Sequence, residues 1–131
     1  VKAIDQGLAT TDSPSFVGIE VNSIYNLSGD TANTSATTQT TIASFVAADH
    51  SSGKFVIQAK DTTTSEVHVT EMLVAHDDTS AIATEYGSIY TGTNVLATYD
   101  VELNAGSINI LATPSSTNAT TFNVTETLIS A

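Results

Sequence analysis

Between Gly53 and Tyr90 apolar and polar side chains follow a period of two, interrupted twice by short polar turns. Phe55, Ile57 and Ala59 alternate with Val56, Gln58 and Lys60, the spacing of a half-buried strand. Asp61-Thr62-Thr63-Thr64-Ser65 reverses the chain, and Glu66 to His76 follows as the longest strand candidate. Asp77-Asp78-Thr79-Ser80 turns it again into Ala81 to Tyr90. Three such segments make an antiparallel meander, and three strands sharing an apolar face form a plausible folding unit where one hairpin is marginal. Nowhere does apolar i, i+3, i+4, i+7 spacing persist over about ten residues, so the chain is all-β.

The segments around the meander fit the same class. Residues 1–15 are small and polar, with Pro14 fixing an extended approach, and are expected to form an arm or linker; residues 16–131 form the domain. Phe16 to Val21 is a first strand that Ile24 to Leu27 continues. Ser28 to Thr41 is nearly free of large apolar groups and is expected to be a long surface loop. Ile42 to Ala47 is a strand. Leu96 to Leu103 places Tyr99, Val101 and Leu103 inward, and Asn104-Ala105-Gly106 closes a hairpin into Ser107 to Thr113, where Ile108, Ile110 and Ala112 share a face. Thr120 to Ile129 is the last strand. About eight strands, with turn signals roughly every 8–12 residues, predict an antiparallel β-sandwich or jelly roll with an extended N-terminal arm.

Two strands break their own pattern. Glu71 falls in phase with Val67, Val69 and Leu73, and Glu126 in phase with Phe122, Val124 and Leu128. Each strand carries a carboxylate on an apolar face or contains a bulge, and for Glu71 the bulge is the preferred reading. Met72 and Val74 are apolar on the opposite side from Leu73. Apolar residues on both sides of a strand mean that both sides are covered. The expectation is that Leu73 faces the core while Met72 and Val74 meet a neighbouring subunit.

The charge balance excludes several function classes. A net charge of −11, with three lysines and no arginine, leaves nothing to replace counterions at phosphates, so nucleic acid is not a partner. Anionic membrane surfaces are excluded for the same reason, and no apolar run is long enough to span a bilayer. Cysteine is absent. A chain opening on Val1 and without a signal peptide reads as a processed product or part of a longer polypeptide.

No catalytic or cofactor motif is present, and neither an enzymatic activity nor a cofactor is expected. His68 and His76 lie in one phase of one strand, but eight residues at about 3.3 Å each separate them by roughly 26 Å, too far to share a metal. His50 sits in a turn. Asp77 and Asp78, with Asp100 and Glu102, carry the oxygen ligands that Ca²⁺ takes, against the ordinary reading of solvated acidic turns. Tyr25, Tyr86, Tyr90 and Tyr99 read as packing residues, and with no tryptophan the usual sugar-stacking platform is thin.

The phrase Ile4-Asp5-Gln6-Gly7-Leu8-Ala9-Thr10-Thr11-Asp12-Ser13-Pro14-Ser15-Phe16 resembles junctions in tail-fibre and other virion structural proteins of tailed bacteriophages. Ser65 to Asp77, followed by Thr84 to Tyr90, is similar to a β-sandwich module in structural proteins of marine and cyanobacterial phages. The resemblance implies a fibre, knob or capsid decoration displayed on the virion surface. Its partners would be itself, as a homotrimer or other homo-oligomer, other virion proteins and a host-surface receptor. It transfers no active-site residue. Ile4, Leu8, Phe16, Met72 and Val74 are the expected subunit contacts. The competing expectation is a secreted pilin-like or adhesin module linked by donated strands, although Val1, Ala3, Ile4 and Leu8 make a poor zipper.

Overall fold

The structure, a computed structural model, describes residues 15–131. Nine antiparallel strands in two sheets make up the described residues, with no helix. In chain order they are β1 (Gly18–Val21), β2 (Tyr25–Thr34), β3 (Thr40–Val46), β4 (His50–Asp61), β5 (Val67–His76), β6 (Ala81–Tyr90), β7 (Ala97–Asn104), β8 (Ser107–Pro114) and β9 (Thr120–Ser130). The larger sheet has the order β1-β2-β9-β4-β5-β6 and the smaller β3-β8-β7, and together they form a β-sandwich.

The core lies between the sheets. Phe55, Ile57 and Ala59 of β4, Met72 and Val74 of β5, and Phe122, Val124 and Leu128 of β9 point from the six-stranded sheet. Ile42, Ala43 and Phe45 of β3 with Ile108, Ile110 and Ala112 of β8 meet them from the other side. Phe45 stacks on Phe55, ring centroids 6.1 Å apart. A register shift between Thr41 and Ala43 turns both Ile42 and Ala43 into this core.

Turn chemistry agrees with the sequence where it was readable. Asn104 pairs with Ser107 around Ala105 and Gly106, both at positive φ, the geometry of a two-residue hairpin loop. The side chain of Asp61 accepts hydrogen bonds from the backbone N–H of Thr63 (2.7 Å) and Thr64 (3.0 Å), closing the β4–β5 turn.

Two expectations are corrected. The polar stretch after Ser28 is not a loop as far as Thr34: β2 runs through it, separated from β1 by a turn with Asn22 and Ser23 at positive φ. Its backbone is paired along its whole length by ten residues of β9, and from Tyr25 to Ser28 also by β1, so it needs little apolar surface of its own. Nor does β5 bulge at Glu71. Its alternation is unbroken, and the register shift lies in the facing strand β6, where Gly87 takes φ +64°.

Candidate interaction surface

One face of the six-stranded sheet packs on the smaller sheet, and the other faces outward. The ladder registers align residues across all six strands on that outward face. One row runs Val21, Tyr25, Ile129, Ser52, Ala75, Ile82. The next runs Ile19, Leu27, Thr127, Lys54, Leu73, Thr84. Across β5 and β6 the apolar surface continues through Val69, Tyr86 and Ile89.

Among the described residues nothing covers these side chains. Leu73 is 47% exposed, Ile129 50% and Ile82 68%. Scattered exposed apolar residues are ordinary, but exposed apolar side chains aligned on five of the six strands of one sheet, interrupted at β4 by Ser52 and Lys54, mark a contact surface. Between β9 and β6 the face dips into an open groove of about 540 Å³, floored by Gly53, Val74 and Ala75 and flanked by Leu73, Ile82 and Ile129.

The electrostatics of this face differ from the rest of the molecule. Lys54 and Lys60, the lysines of the described residues, are both on it. Lys54 Nζ lies 3.2 Å from Glu71 Oε1, and that contact raises the lysine pKa above its ordinary value. Among the described carboxylates Glu71 alone has an outward position in this sheet. Glu20, Asp30, Asp61, Glu85 and Glu126 fall in the opposite phase, and the others sit in turns or on β7.

The expected contact residues are placed as follows. Met72 and Val74 are each 2% exposed and belong to the core, whereas Leu73 faces outward, the reverse of the expected orientation. The physical reason is pairing: Phe55 stands opposite Met72, so the phase of β4 that carries Phe55 and Ile57 takes Met72 and Val74 inward with it. Phe16 is 61% exposed, ahead of β1. Ile4 and Leu8 lie outside the described residues. Ile19, Leu27, Leu73, Ile82 and Ile129 were missed. For Leu73 the signal was the apolar odd phase of β5, Val67, Val69, Leu73 and Ala75, which only register could assign to the outside; the others stand out only once the ladders align them.

The histidines serve as struts. His68 is 1% exposed; its Nε2 lies 2.8 Å from Ser88 Oγ, and burial lowers its pKa, opposed by the nearby Glu85. A base beside a hydroxyl at this distance is half of a nucleophilic pair, but His68 Nδ1 has no hydrogen-bond partner, so no carboxylate orients the ring. Glu85 instead accepts from Thr70 at 3.0 Å. His76 donates from Nε2 to the His50 carbonyl (2.7 Å) and accepts at Nδ1 from the Asp78 N–H (3.2 Å).

The acidic turn is likewise occupied. Asp77 accepts from the N–H groups of Thr79 and Ser80, which holds its carboxyl below the ordinary range, while Asp100 and Glu102 sit in the other sheet. Among the described residues no three His, Asp or Glu side chains gather as a metal site.

No protein-family model matches the chain, and no curated protein matches it. Three solved phage tailspikes resemble its β arrangement. The tailspike of Acinetobacter baumannii phage AM24 matches with a TM-score of 0.49 at 12% identity, over 80% of this chain and 26% of the tailspike. The tailspike gp49 of Acinetobacter baumannii bacteriophage Fri1, a capsular polysaccharide depolymerase, matches with a TM-score of 0.49 at 13% identity, over 87% of this chain and 21% of that one. The tailspike of a further Acinetobacter phage matches with a TM-score of 0.47 at 15% identity. The chain therefore spans about a quarter of the length of these structures.

Proposed function

We propose that this chain is a structural module of a tailed-phage virion, part of a fibre, knob or capsid decoration. It works by packing its outward sheet face against another protein of the particle and performs no reaction. The observation that carries this reading is the outward face itself: exposed apolar side chains on five of the six strands of the larger sheet, aligned in two rows and left open by the described residues. An uncovered face of this extent is a contact surface in its working state. The acidic remainder of the molecule suits display at high local density, where like charge keeps neighbouring exposed surfaces apart. The virion setting draws support from the resemblance of the N-terminal phrase and of the β5 and β6 sequences to phage structural modules. Attachment to a host receptor belongs to the same reading, through the surfaces that remain exposed after assembly.

Particles purified from a host carrying the phage that encodes the chain test this directly. Mass spectrometry is expected to find the wild-type chain in them and to find a folded Leu73→Asp variant depleted. Absence of the wild-type chain from particles, or incorporation of the variant at the wild-type level, overturns the reading.

A further inference from the structure

We infer that the partner on the outward face is a second copy of this chain, the copies meeting outward face to outward face. The inference rests on the reading of that face as a contact surface and names what covers it.

The first argument is charge. With a formal net charge of −11, copies of this chain repel one another over most of their surface. The outward face is the exception: Lys54, Lys60 and Glu71 are its only charges among the described residues. Two acidic molecules can approach through this face without bringing carboxylates together. Lys54 and Glu71 already neutralise one another within each copy at 3.2 Å, so closing the interface over them leaves no unpaired charge at its centre. Lys60 stands farther along β4, where its long stem can keep its ammonium in water at the rim.

The second argument is area. The four middle strands each present five outward positions, β6 four and β1 two; at about 4.8 Å between strands and roughly 6.6 Å between positions they make a face of roughly 800 Å². A standard protein interface takes about 800 Å² from each partner. Its composition also fits, with the apolar rows at one end and along β5 and β6, and Thr121, Asn123 and Gln58 at the far corner as a polar border. A dissimilar partner would have to match both the apolar rows and this near-neutral charge, whereas a second copy supplies both by symmetry.

Light scattering coupled to gel filtration, applied to the 131-residue chain up to high micromolar concentration, tests the inference. Wild type is expected to run as a homo-oligomer. Leu73→Asp is expected to raise its dissociation constant by roughly thirtyfold or more. Thr98→Asp, the same charge change on the exposed side of β7 in the other sheet, is expected to leave it unchanged. Should Leu73→Asp fail to fold by circular dichroism, Ile82→Asp, on a side chain 68% exposed, gives the same readout. A wild-type monomer throughout, or an oligomer indifferent to the outward substitutions, overturns the inference. If that monomer still requires Leu73 to enter particles, the homotypic contact fails while the assembly role stands.

Discussion

Ser28 donates a 2.6 Å hydrogen bond to Oε1 of Glu126, joining β2 to β9 across the inward side of the larger sheet. Glu126 stands in phase with Phe122, Val124 and Leu128, as its sequence spacing indicated, and is 6% exposed. Its other oxygen, Oε2, has no hydrogen-bond partner. Burial raises the pKa of this carboxyl; the Ser28 hydroxyl opposes the rise, and the charge of Asp30 on β2 adds to it. A serine at position 28 is therefore a partner for a buried acid, in a strand whose sequence looks like a loop.

The pH dependence of that acid has a definite sign. Its folded-state pKa lies above the unfolded one, so the unfolded chain gives up this proton first as pH rises. Stability from Glu126 is full below the ordinary carboxylate range and is lost as pH climbs through the raised folded value. Glu126→Gln removes this loss while keeping an oxygen for Ser28. Urea melts from acid to neutral pH are expected to show the variant gaining on wild type as pH rises. A gap independent of pH would contradict a buried, ionisable Glu126.

The orientation of β5 can be read from two neighbouring truncations. Met72 is buried against the core and Leu73 is half exposed on the outward face. Met72→Ala is expected to cost about 2–5 kcal/mol by losing buried contacts and leaving a cavity. Leu73→Ala in the monomeric state is expected to cost about 0.5 kcal/mol or less. Denaturant titration at low protein concentration separates the two. A larger cost for Leu73→Ala than for Met72→Ala would mean that β5 is inserted the other way round.

These two residues also mark where the sequence stopped being legible. Alternation and turn residues located β4, β7, β8 and β9, because each has large apolar groups on one phase and a turn with its own chemistry. The inner phase of β5 reads His68, Thr70, Met72, Val74, and the outer Val67, Val69, Glu71, Leu73, so hydrophobicity alone favours the wrong side. Only the pairing of Met72 with Phe55 decides, and register is a long-range property. β2 was hidden differently: its ladder partners, not its side chains, make it a strand. The outward face is built from five strands' exposed apolar residues, none conspicuous singly, and it exists only once the registers are known.

Asp61 links two turns that are distant in sequence. Oδ2 accepts from Asn118 Nδ2 at 2.7 Å while Oδ1 holds the Thr63 and Thr64 N–H groups. The hydrogen bond from Asn118 is the largest cause of its lowered pKa, followed by the Thr64 N–H. A depressed folded-state pKa contributes stability above the ordinary aspartate value, and that contribution is lost as pH falls through the folded value. Asp61→Ala is expected to lower Tm near neutral pH more than Asn118→Ala, since it releases the turn as well as the bridge. Below the folded pKa of Asp61 the difference between wild type and Asp61→Ala should shrink. Thermal melts at neutral and strongly acidic pH check both statements.

Gly53 occupies an inward position on β4 where a side chain has no room. A Cβ there would come within 2.7 Å of Leu128 Cδ2 and 3.0 Å of Phe55 Cε2, with the Thr127 carbonyl oxygen at 3.3 Å. Gly53→Ala is expected to cost about 1–3 kcal/mol, the range for overpacking a close-fitted interior. Crowding by Leu128 as the cause makes a further, sharper statement. Leu128→Val withdraws the Cδ atoms, so the double variant should be more stable than the sum of the single losses predicts, by about 0.5 kcal/mol or more. Denaturant titrations of the four proteins in this cycle measure that coupling. Simple additivity would place the cost of Gly53→Ala in the backbone instead of in its contact with β9.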